Sequence, residues 1–218
     1  MSAAFEGAAP RGGAPDRARV PPAGPLRPFH FPAVHRRVLS SGLVVLVAEV
    51  RNFPVVTVDL LLPAGALHEP GERAGLAMLT AGLLESGAGD RGPDEIAEAV
   101  DSLGLSLDSG SSWDTTQVGF TCLRSRLDAA CAILSDLVRR PTFPADEVDR
   151  IRDERLAALL HRRNDPSSIA NEVLNRYVFA PESPYARPLG GTSDTVGEIG
   201  RADVEAFHAA RYQPRGAA

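Results

Sequence analysis

Strand-like and helix-like segments follow one another in blocks along this chain of 218 residues. Two short β-rich runs on either side of residues 40–42 predict a hairpin, and the apolar run at residues 53–65 predicts a central strand buried on both faces. Two helical patterns come next, then two strands within residues 105–122 that turn at residues 109–112, then three or four helices. This order predicts an α+β fold in which helices cover an antiparallel or mixed sheet.

The helices are marked by apolar spacing and by the residues that begin or end them. Pro93 opens one helix and Gly104 ends it, while Asp165 and Pro166 supply the N-cap and first position of another. The longest helix should lie at residues 145–161, and a short helix closes the chain. Two further segments place apolar side chains on one stripe: Leu76, Leu79, Leu83 and Leu84 in the first, and Leu127, Cys131, Leu134 and Val138 in the second.

The start of the chain differs from the rest in composition. Residues 1–33 are rich in Pro, Gly, Ala and Arg and poor in apolar side chains. Such a segment cannot offset its ordering entropy by burying apolar surface. The sequence therefore predicts a disordered tail at residues 1–33 and a folded domain at residues 34–218.

Composition argues against several classes of protein. The formal net charge of −5 argues against a general nucleic-acid binder, and no apolar run reaches the roughly 18 residues of a membrane span. The N-terminus lacks the apolar region of a secretory signal, so a cytoplasmic protein is predicted. There is no lysine and no phosphate-binding glycine loop. Cys122 and Cys131 make no disulfide framework, and we predict reduced, packed thiols.

Three phrases of the sequence, in this order and at this spacing, resemble the N-terminal half of the pitrilysin/insulinase family of zinc peptidases. They are "SSGLVVLVAEVRNFPVVTVDLLLPAGALHEPGERAGLAMLTAGLLESGAG", "RPTFPADEVDRIRDERLAALLHRRNDPSSIANEVLNRYVF" and "SPYARPLGGTSDTVGEIGRADVEAFHAARYQP". The resemblance covers residues 36–218. It implies the fold of a metallopeptidase half-domain, with a sheet layered by helices. The family continues into another strand after these residues, so we expect a module truncated before its last strand.

The resemblance also implies where a zinc site would be. Active members carry an H-x-x-E-H motif on the first helix, and its histidine positions fall on Met78 and Gly82, with its base at Ala81. The family's third ligand matches Glu154, and a supporting glutamate matches Glu147. One ligand of three is present, whereas catalytic zinc requires three protein ligands and an open position. We therefore predict no catalytic residue and no metal site in this chain, with zinc expected only in a partner half.

Simpler interpretations of these positions stay open. Glu147 and Glu154 lie seven residues apart on a helix rich in acids and arginines, so a solvated, internally paired charged face explains both. Met78 and Leu79 are explained as core residues. Gly82 costs about 1 kcal/mol in a helix interior relative to alanine, and close packing against a neighbouring element would account for it.

Three functional hypotheses follow from the resemblance. In the first, the domain is a non-catalytic half that pairs with a homologous zinc-bearing half or subunit to form a peptide-degrading chamber. Its first helix would then present Met78, Leu79 and Thr80 to a peptide substrate. The second is an active zinc metalloendopeptidase with ligands supplied elsewhere, His161 and His208 being candidates in this chain. The third is a purely structural assembly module. The substrate-gripping Arg and Tyr of the family's second half, in a stretch like L-R-E-x-x-G-L-A-Y, do not occur here.

Overall fold

Two antiparallel sheets form the β part of the computed structural model, which describes residue 24, residues 30–162 and residues 164–218. A hairpin makes the first sheet, and a three-stranded sheet of order β3-β5-β4 makes the second. The strands are β1 (Val34–Val38), β2 (Val44–Ala48), β3 (Val55–Leu62), β4 (Ser106–Ser111) and β5 (Thr116–Leu123). The α+β class and the first hairpin are confirmed.

Seven α-helices surround these strands in the described residues: α1 (Leu76–Gly82), α2 (Pro93–Leu103), α3 (Leu127–Arg139), α4 (Ala145–Arg162), α5 (Pro166–Val178), α6 (Ser193–Gly197) and α7 (Arg201–Arg211). Local sequence signals fixed several boundaries. Pro93 is the first residue of α2, and Gly104 follows it in a left-handed conformation with φ of 63°. The Asp165 carboxylate accepts from the backbone N–H groups of Ser167 and Ser168, as an N-cap does.

Residues 33–218 form one compact unit. The disordered tail predicted at residues 1–33 falls almost entirely on residues 1–23 and 25–29, which lie outside the described part of the chain. None of the described helices is long and apolar enough to cross a membrane.

The prediction of a central strand at residues 53–65 was wrong. The corresponding strand, β3, lies at the edge of its sheet and alternates between exposed and partly buried residues, with Val55 47% and Leu61 40% exposed. The central strand is β5, where Val118 and Phe120 are buried. An unbroken apolar run indicates β structure, but it does not specify how many sides the fold will cover. The predicted turn at residues 109–112 was also displaced, because Ser112 N donates to Thr115 O and closes the turn after β4.

The core is built around α1. All four leucines of the predicted stripe in and after this helix are buried, and they pack with Val118 and Phe120 of β5 and with Val204 of α7. Burying one leucine side chain contributes on the order of 2 kcal/mol. The prediction of two packed thiols held for Cys122, whereas Cys131 is exposed. The buried face of α3 is rotated away from Cys131, towards Ala130, Ile133, Leu134, Leu137 and Val138.

Candidate functional site

Helix α1 carries the motif positions implied by the resemblance, and its start is held by a buried carboxylate. Glu69 is 6% exposed, and its two carboxylate oxygens accept from the backbone N–H groups of Gly75 and Ala77, each at 2.9 Å. Burial raises the pKa of Glu69, although those two donors act in the opposite direction. Gly75 has φ of 99°, and a Cβ there would lie 3.0 Å from the Gly190 carbonyl oxygen. The position of α1 is therefore fixed before its first turn.

The three motif positions differ in their surroundings. Met78 is partly buried and Gly82 is exposed, so both reach the same accessible side of α1, one turn apart. Ala81, at the base position, is completely buried. Leu79 and Thr80 are buried as well, so the prediction that Thr80 faces a chamber was wrong. The buried side of this short helix packs against β5 and α7, and this leaves Met78 as the side chain at its surface.

Close packing does not explain why residue 82 is a glycine. A Cβ built on this residue would meet no other atom within 4 Å, so the expected close packing against a neighbouring element was wrong. Its backbone is ordinary right-handed helix, with φ of −65° and ψ of −23°. Gly82 ends α1 and precedes a tighter helical turn at Leu83–Ser86, so it is not an interior helical residue.

A pocket of about 250 Å³ separates α1 from α4. It is lined by two residues of α1, Met78 and Leu79, and by three of α4, Ile151, Glu154 and Arg155. The structure thus brings together one histidine position and the third-ligand position of the family motif.

The two glutamates of α4 are joined by one arginine. Arg150 lies 2.7 Å from a carboxylate oxygen of Glu147 and 2.6 Å from one of Glu154. The guanidinium holds the pKa of Glu147 below its usual range, and the Glu147 carboxylate raises that of Arg150. Such pairing three and four residues apart agrees with the charged-face interpretation. Glu147 and Glu154 have a cationic partner without a metal.

Arg155 was not singled out from the sequence, and the structure makes it part of the pocket. Its Nε and Nη2 both donate to the Gly190 carbonyl oxygen, at 3.1 and 3.0 Å. Burial lowers the pKa of this guanidinium. A Cβ at Gly190 would overlap the Arg155 side chain, so the glycine allows the arginine to lie against the backbone. The two residues are 35 positions apart, and no local pattern indicates that they meet.

The side chains of the pocket do not fit a zinc ion. Zinc is bound by imidazole, thiolate and carboxylate groups, and a catalytic site requires three of them. Glu154 alone among the lining residues offers such a group, and Arg150 already pairs with it. The thioether of Met78 is a soft ligand that favours other metals. No catalytic step through zinc can be derived for these residues.

The histidines considered as substitute ligands lie elsewhere. The His208 Nε2 is 2.9 Å from the Val138 carbonyl oxygen, and its ring lies 4.5 Å from that of Tyr212. Burial lowers the pKa of His208. His161 lies near the end of α4, away from the residues that line the pocket. In residues 24, 30–162 and 164–218, no three His, Cys, Asp or Glu side chains are grouped so as to hold a metal ion.

A second pocket, of about 320 Å³, lies beside strand β4. It is lined by residues of β4 and α2 together with Glu85, whose carboxylate accepts from the Ser109 hydroxyl at 3.0 Å. Only one edge of β4 is paired, with β5. The other edge has no strand beside it in the described part of the chain. Helix α1 also contacts β4.

The chain is similar in sequence to a known family and to several of its members. The profile of the family described as Insulinase (Peptidase family M16) matches residues 44–193. An uncharacterized zinc protease of Mycobacterium leprae is 27% identical over 83% of this chain and 40% of its own length. The non-peptidase homolog YmxG of Helicobacter pylori is 25% identical over 78% of this chain and 39% of its own. Subunit 1 of the mitochondrial cytochrome b-c1 complex of Bos taurus is 26% identical over 80% and 36%, respectively.

A solved structure gives the same result at the level of the fold. It is described as the inactive domain of a peptidase M16 from Pseudomonas fluorescens, and it matches with a TM-score of 0.77 and 27% identity. The match covers 81% of this chain and 43% of that chain. The chain thus spans about two-fifths of the length of these relatives. Because the family profile covers well over half of its residues, the chain belongs to the insulinase family of peptidases, M16.

Proposed function

We propose that this domain is a non-catalytic half that pairs with a homologous zinc-bearing half or subunit and forms part of the wall of a peptide-degrading chamber. One observation carries the proposal. Met78 and Glu154, which the resemblance matches to two ligand positions of the family's metal site, both line the pocket between α1 and α4, yet the pocket contains one zinc-competent carboxylate, and Arg150 pairs with it. Such a pocket can be occupied by a peptide side chain without hydrolysing the peptide.

The unpaired edge of β4 supports a role in holding peptide. An exposed sheet edge presents N–H and C=O groups to which an extended chain can add as a further strand. Here the edge lies beside a pocket that is partly apolar, lined by Ile96, Val100 and Leu107 among others. Its side-chain hydroxyls, such as that of Ser109, are small enough to let a peptide backbone approach.

The exposed apolar face of α5 supports pairing with a second domain. This helix buries none of its residues, although apolar side chains recur along it at helical spacing. Ile169 is 46% exposed, Val173 42% and Tyr177 86%. Contiguous exposed apolar residues of this kind mark interaction surfaces in folded proteins. The bovine relative also supports pairing with another chain, because it is named as a subunit of a larger complex.

The test is reconstitution with a zinc-bearing member of the family from the same genome. Each protein is analysed alone and in a one-to-one mixture, by size-exclusion chromatography with light scattering and by chelator-sensitive cleavage of a fluorogenic peptide. We expect no cleavage by this chain, a stable mixed complex, and faster cleavage by the complex than by the zinc-bearing protein alone. Chelator-sensitive cleavage by this chain with stoichiometric zinc would overturn the proposal.

Two matched variants separate the chamber wall from the rest of the surface. Met78→Glu puts a charge into the pocket between α1 and α4, whereas Ala132→Glu puts one on the exposed side of α3. We expect Met78→Glu to slow cleavage by the complex and Ala132→Glu to leave it unchanged. If the mixed complex forms and both variants leave its cleavage rate unchanged, the alternative of a purely structural assembly module is favoured. The complex would then form without its pocket contacting peptide.

A further inference from the structure

Arg155 is a partly buried cation at the pocket between α1 and α4, and it differs from the other arginines of that helix. Arg150 pairs with Glu154 at 2.6 Å. Arg152 pairs with Asp149 at 2.8 Å. In the residues that the structure describes, no carboxylate forms an ion pair with Arg155. Taking a charge out of water without a counter-ion is unfavourable, so this guanidinium is suited to accept an anion from outside the chain.

The backbone contact of Arg155 uses one side of its guanidinium. Nε and Nη2 both donate to the Gly190 carbonyl oxygen. A guanidinium has five N–H groups, one on Nε and two on each terminal nitrogen. Within the described part of the chain, the remaining three, two of them on Nη1, have no acceptor. The N–H groups of the two terminal nitrogens form a parallel pair, which is the fork that binds a carboxylate with two hydrogen bonds.

The surrounding backbone holds this fork in place. A Cβ on Gly190 would overlap the Arg155 side chain, so the guanidinium lies directly against the turn. That turn is closed by Gly191 N, which donates to Pro188 O at 3.0 Å. On its other side, the Gly190 carbonyl oxygen lies against Gly75 at the start of α1. A side chain that is fixed before binding loses little conformational entropy when a ligand arrives.

The rest of the pocket is mainly apolar. Besides Arg155, its lining consists of three apolar side chains and one carboxylate, namely Met78, Leu79, Ile151 and Glu154. The volume of about 250 Å³ is several times the roughly 30 Å³ that one water occupies in the liquid. A mainly apolar pocket with one cation favours a ligand that joins an aliphatic group to an anion, because each part then meets its complement.

Glu154 opposes an anion in this pocket, but its charge is partly offset. Its side chain is 61% exposed and pairs with Arg150. Adjacent residues of a helix do not face each other, so Glu154 is not placed to serve as the counter-ion of Arg155. Burial, and then the positive charge of Arg162 two turns further along α4, lower the pKa of Arg155. A bound anion would relieve the repulsion between these two arginines.

We propose that the pocket between α1 and α4 is a carboxylate-binding site, in which the free N–H groups of Arg155 bind the carboxylate and the apolar residues enclose the aliphatic group that bears it. In a peptide this chemistry occurs at a C-terminus with an apolar last residue and at an acidic side chain. The inference rests on the proposed function in that peptide enters this pocket, and it adds which chemical group of the peptide is bound.

The experiment titrates the full chain with four short acetylated alanine peptides. Two end in leucine, one with a free carboxylate and one with an amide. The other two are amides with one internal glutamate or one internal glutamine. Binding is followed by NMR of the ¹³C-labelled Met78 methyl group, since Met1 is the one other methionine, and Met78→Leu assigns the signal. We expect at least one carboxylate peptide to bind about tenfold or more tightly than its uncharged match.

Matched variants on α4 identify the cation. Arg155→Met removes the charge from the pocket. Arg152→Met removes an arginine that also donates to a backbone carbonyl, that of Ile199 at 3.3 Å, but does not line the pocket. We expect Arg155→Met to abolish the preference for the carboxylate, and Arg152→Met to retain it. Glu154→Gln should increase the affinity for the carboxylate peptide by about two- to fivefold, because it removes an exposed like charge.

The parent chain alone decides the inference, even where a variant does not fold. Equal binding of the charged and uncharged members of both peptide pairs overturns it, although peptide would still enter the pocket as proposed. An unmoved Met78 signal with all four peptides overturns it as well. A carboxylate preference that persists in Arg155→Met has the same meaning, because the anion would then be bound elsewhere. These titrations involve no partner and no cleavage, so failure to reconstitute a complex would leave them unaffected.

Discussion

Helices α1 and α4 face each other across one pocket, and they differ in how they are embedded. Five of the seven residues of α1 are buried, namely Leu76, Ala77, Leu79, Thr80 and Ala81. In α4, which is 18 residues long, Val148 alone is buried, and charged side chains cover most of the helix surface. At the three motif positions, α1 has Met78, Ala81 and Gly82, none of which carries a polar side chain. Both glutamate positions of the resemblance on α4 are occupied by glutamate.

This difference concerns the positions that the resemblance matches to the family's metal motif, and it shows what the surroundings of each position favour. A carboxylate at the base position, Ala81, would have to share the interior with leucines and with β5, and buried polar groups need partners. On α4, the Glu154 side chain is 61% exposed and the Glu147 side chain 16%, and both carboxylates pair with Arg150, which offsets the cost of holding them there. Apolar residues are therefore stable on α1, and glutamates are stable on α4, in the absence of zinc.

The largest expected effect comes from restoring both histidine positions. Met78→His with Gly82→His adds two imidazoles one turn apart on the accessible side of α1, and Met78 lines the same pocket as Glu154. We expect one zinc ion to bind with an affinity about 1,000-fold or more above that of the parent chain, because three protein ligands become available. Competition with a fluorescent zinc chelator at neutral pH measures this.

The control adds Glu154→Gln to the double variant. If Glu154 is the third ligand, its replacement should weaken zinc binding by about 10- to 100-fold, and Glu147→Gln should do less. Equal binding with and without Glu154 would show that α4 does not complete the site. The two helices would then share a pocket without sharing the geometry of the metal motif.

Restoring the base position should have the next largest effect, on stability. Ala81 is completely buried, so Ala81→Glu forces a carboxylate into the core without a partner. We expect a loss of about 3 kcal/mol in the free energy of unfolding, measured by urea titration. Gly82→Glu is the matched control, since the neighbouring residue is exposed and its added side chain meets open space. If both variants unfold at the same urea concentration, α1 is not embedded as described.

The parts of this comparison that the sequence predicted are those with local chemical causes. Pro93 and Gly104 bound α2, and Asp165 caps α5, because each residue acts on the backbone within a few positions. The pairing of charges on α4 is local in the same sense. The edge position of β3 and the exposure of Cys131 depend on what packs against them, and that information is spread over the whole chain.

The candidate site, like the fold, could be predicted only in part without coordinates. Resemblance to the family gave Met78, Ala81, Gly82 and Glu154 their positions in the motif, and the structure brings Met78 and Glu154 to one pocket. The burial of Ala81 and the open space beside Gly82 required coordinates. The contact of Arg155 with the backbone of Gly190 is long-range, and no periodicity in the sequence predicts it.

A third test uses pH, because carboxylates near the two helices shift in opposite directions. The raised pKa of Glu69 favours the folded state at low pH, and this contribution is lost as pH rises through the raised value. The lowered pKa of Glu147 favours the folded state above the ordinary glutamate pKa, and this contribution is lost as pH falls. We expect Glu69→Gln and Glu147→Gln to change the pH dependence of stability with opposite signs, each by less than the Ala81→Glu effect.

Urea titrations at closely spaced pH values between about 3 and 7 measure these slopes, since the ordinary glutamate pKa is about 4.3. The Glu147 variant also removes a partner of Arg150, so Glu205→Gln on α7 serves as the control for losing one exposed ion pair. Slopes of the same sign for Glu69→Gln and Glu147→Gln would contradict the contrast between a buried carboxylate beside α1 and a paired one on α4.

The smallest expected effect is at Gly82. Its right-handed backbone and the open space around its Cβ position allow alanine without strain. We expect Gly82→Ala to stabilise the chain by about 0.5–1 kcal/mol, because alanine restricts the unfolded chain and favours helix. At the other end of α1, Gly75→Ala should destabilise it, since φ there is 99° and the added Cβ would crowd the Gly190 carbonyl. If Gly82→Ala stabilises this chain but weakens its complex with a zinc-bearing half, the glycine serves the close approach of that partner. If Gly82→Ala destabilises the isolated chain, then packing constrains α1 at its exposed end as well. The difference in how α1 and α4 are embedded would then be smaller than described.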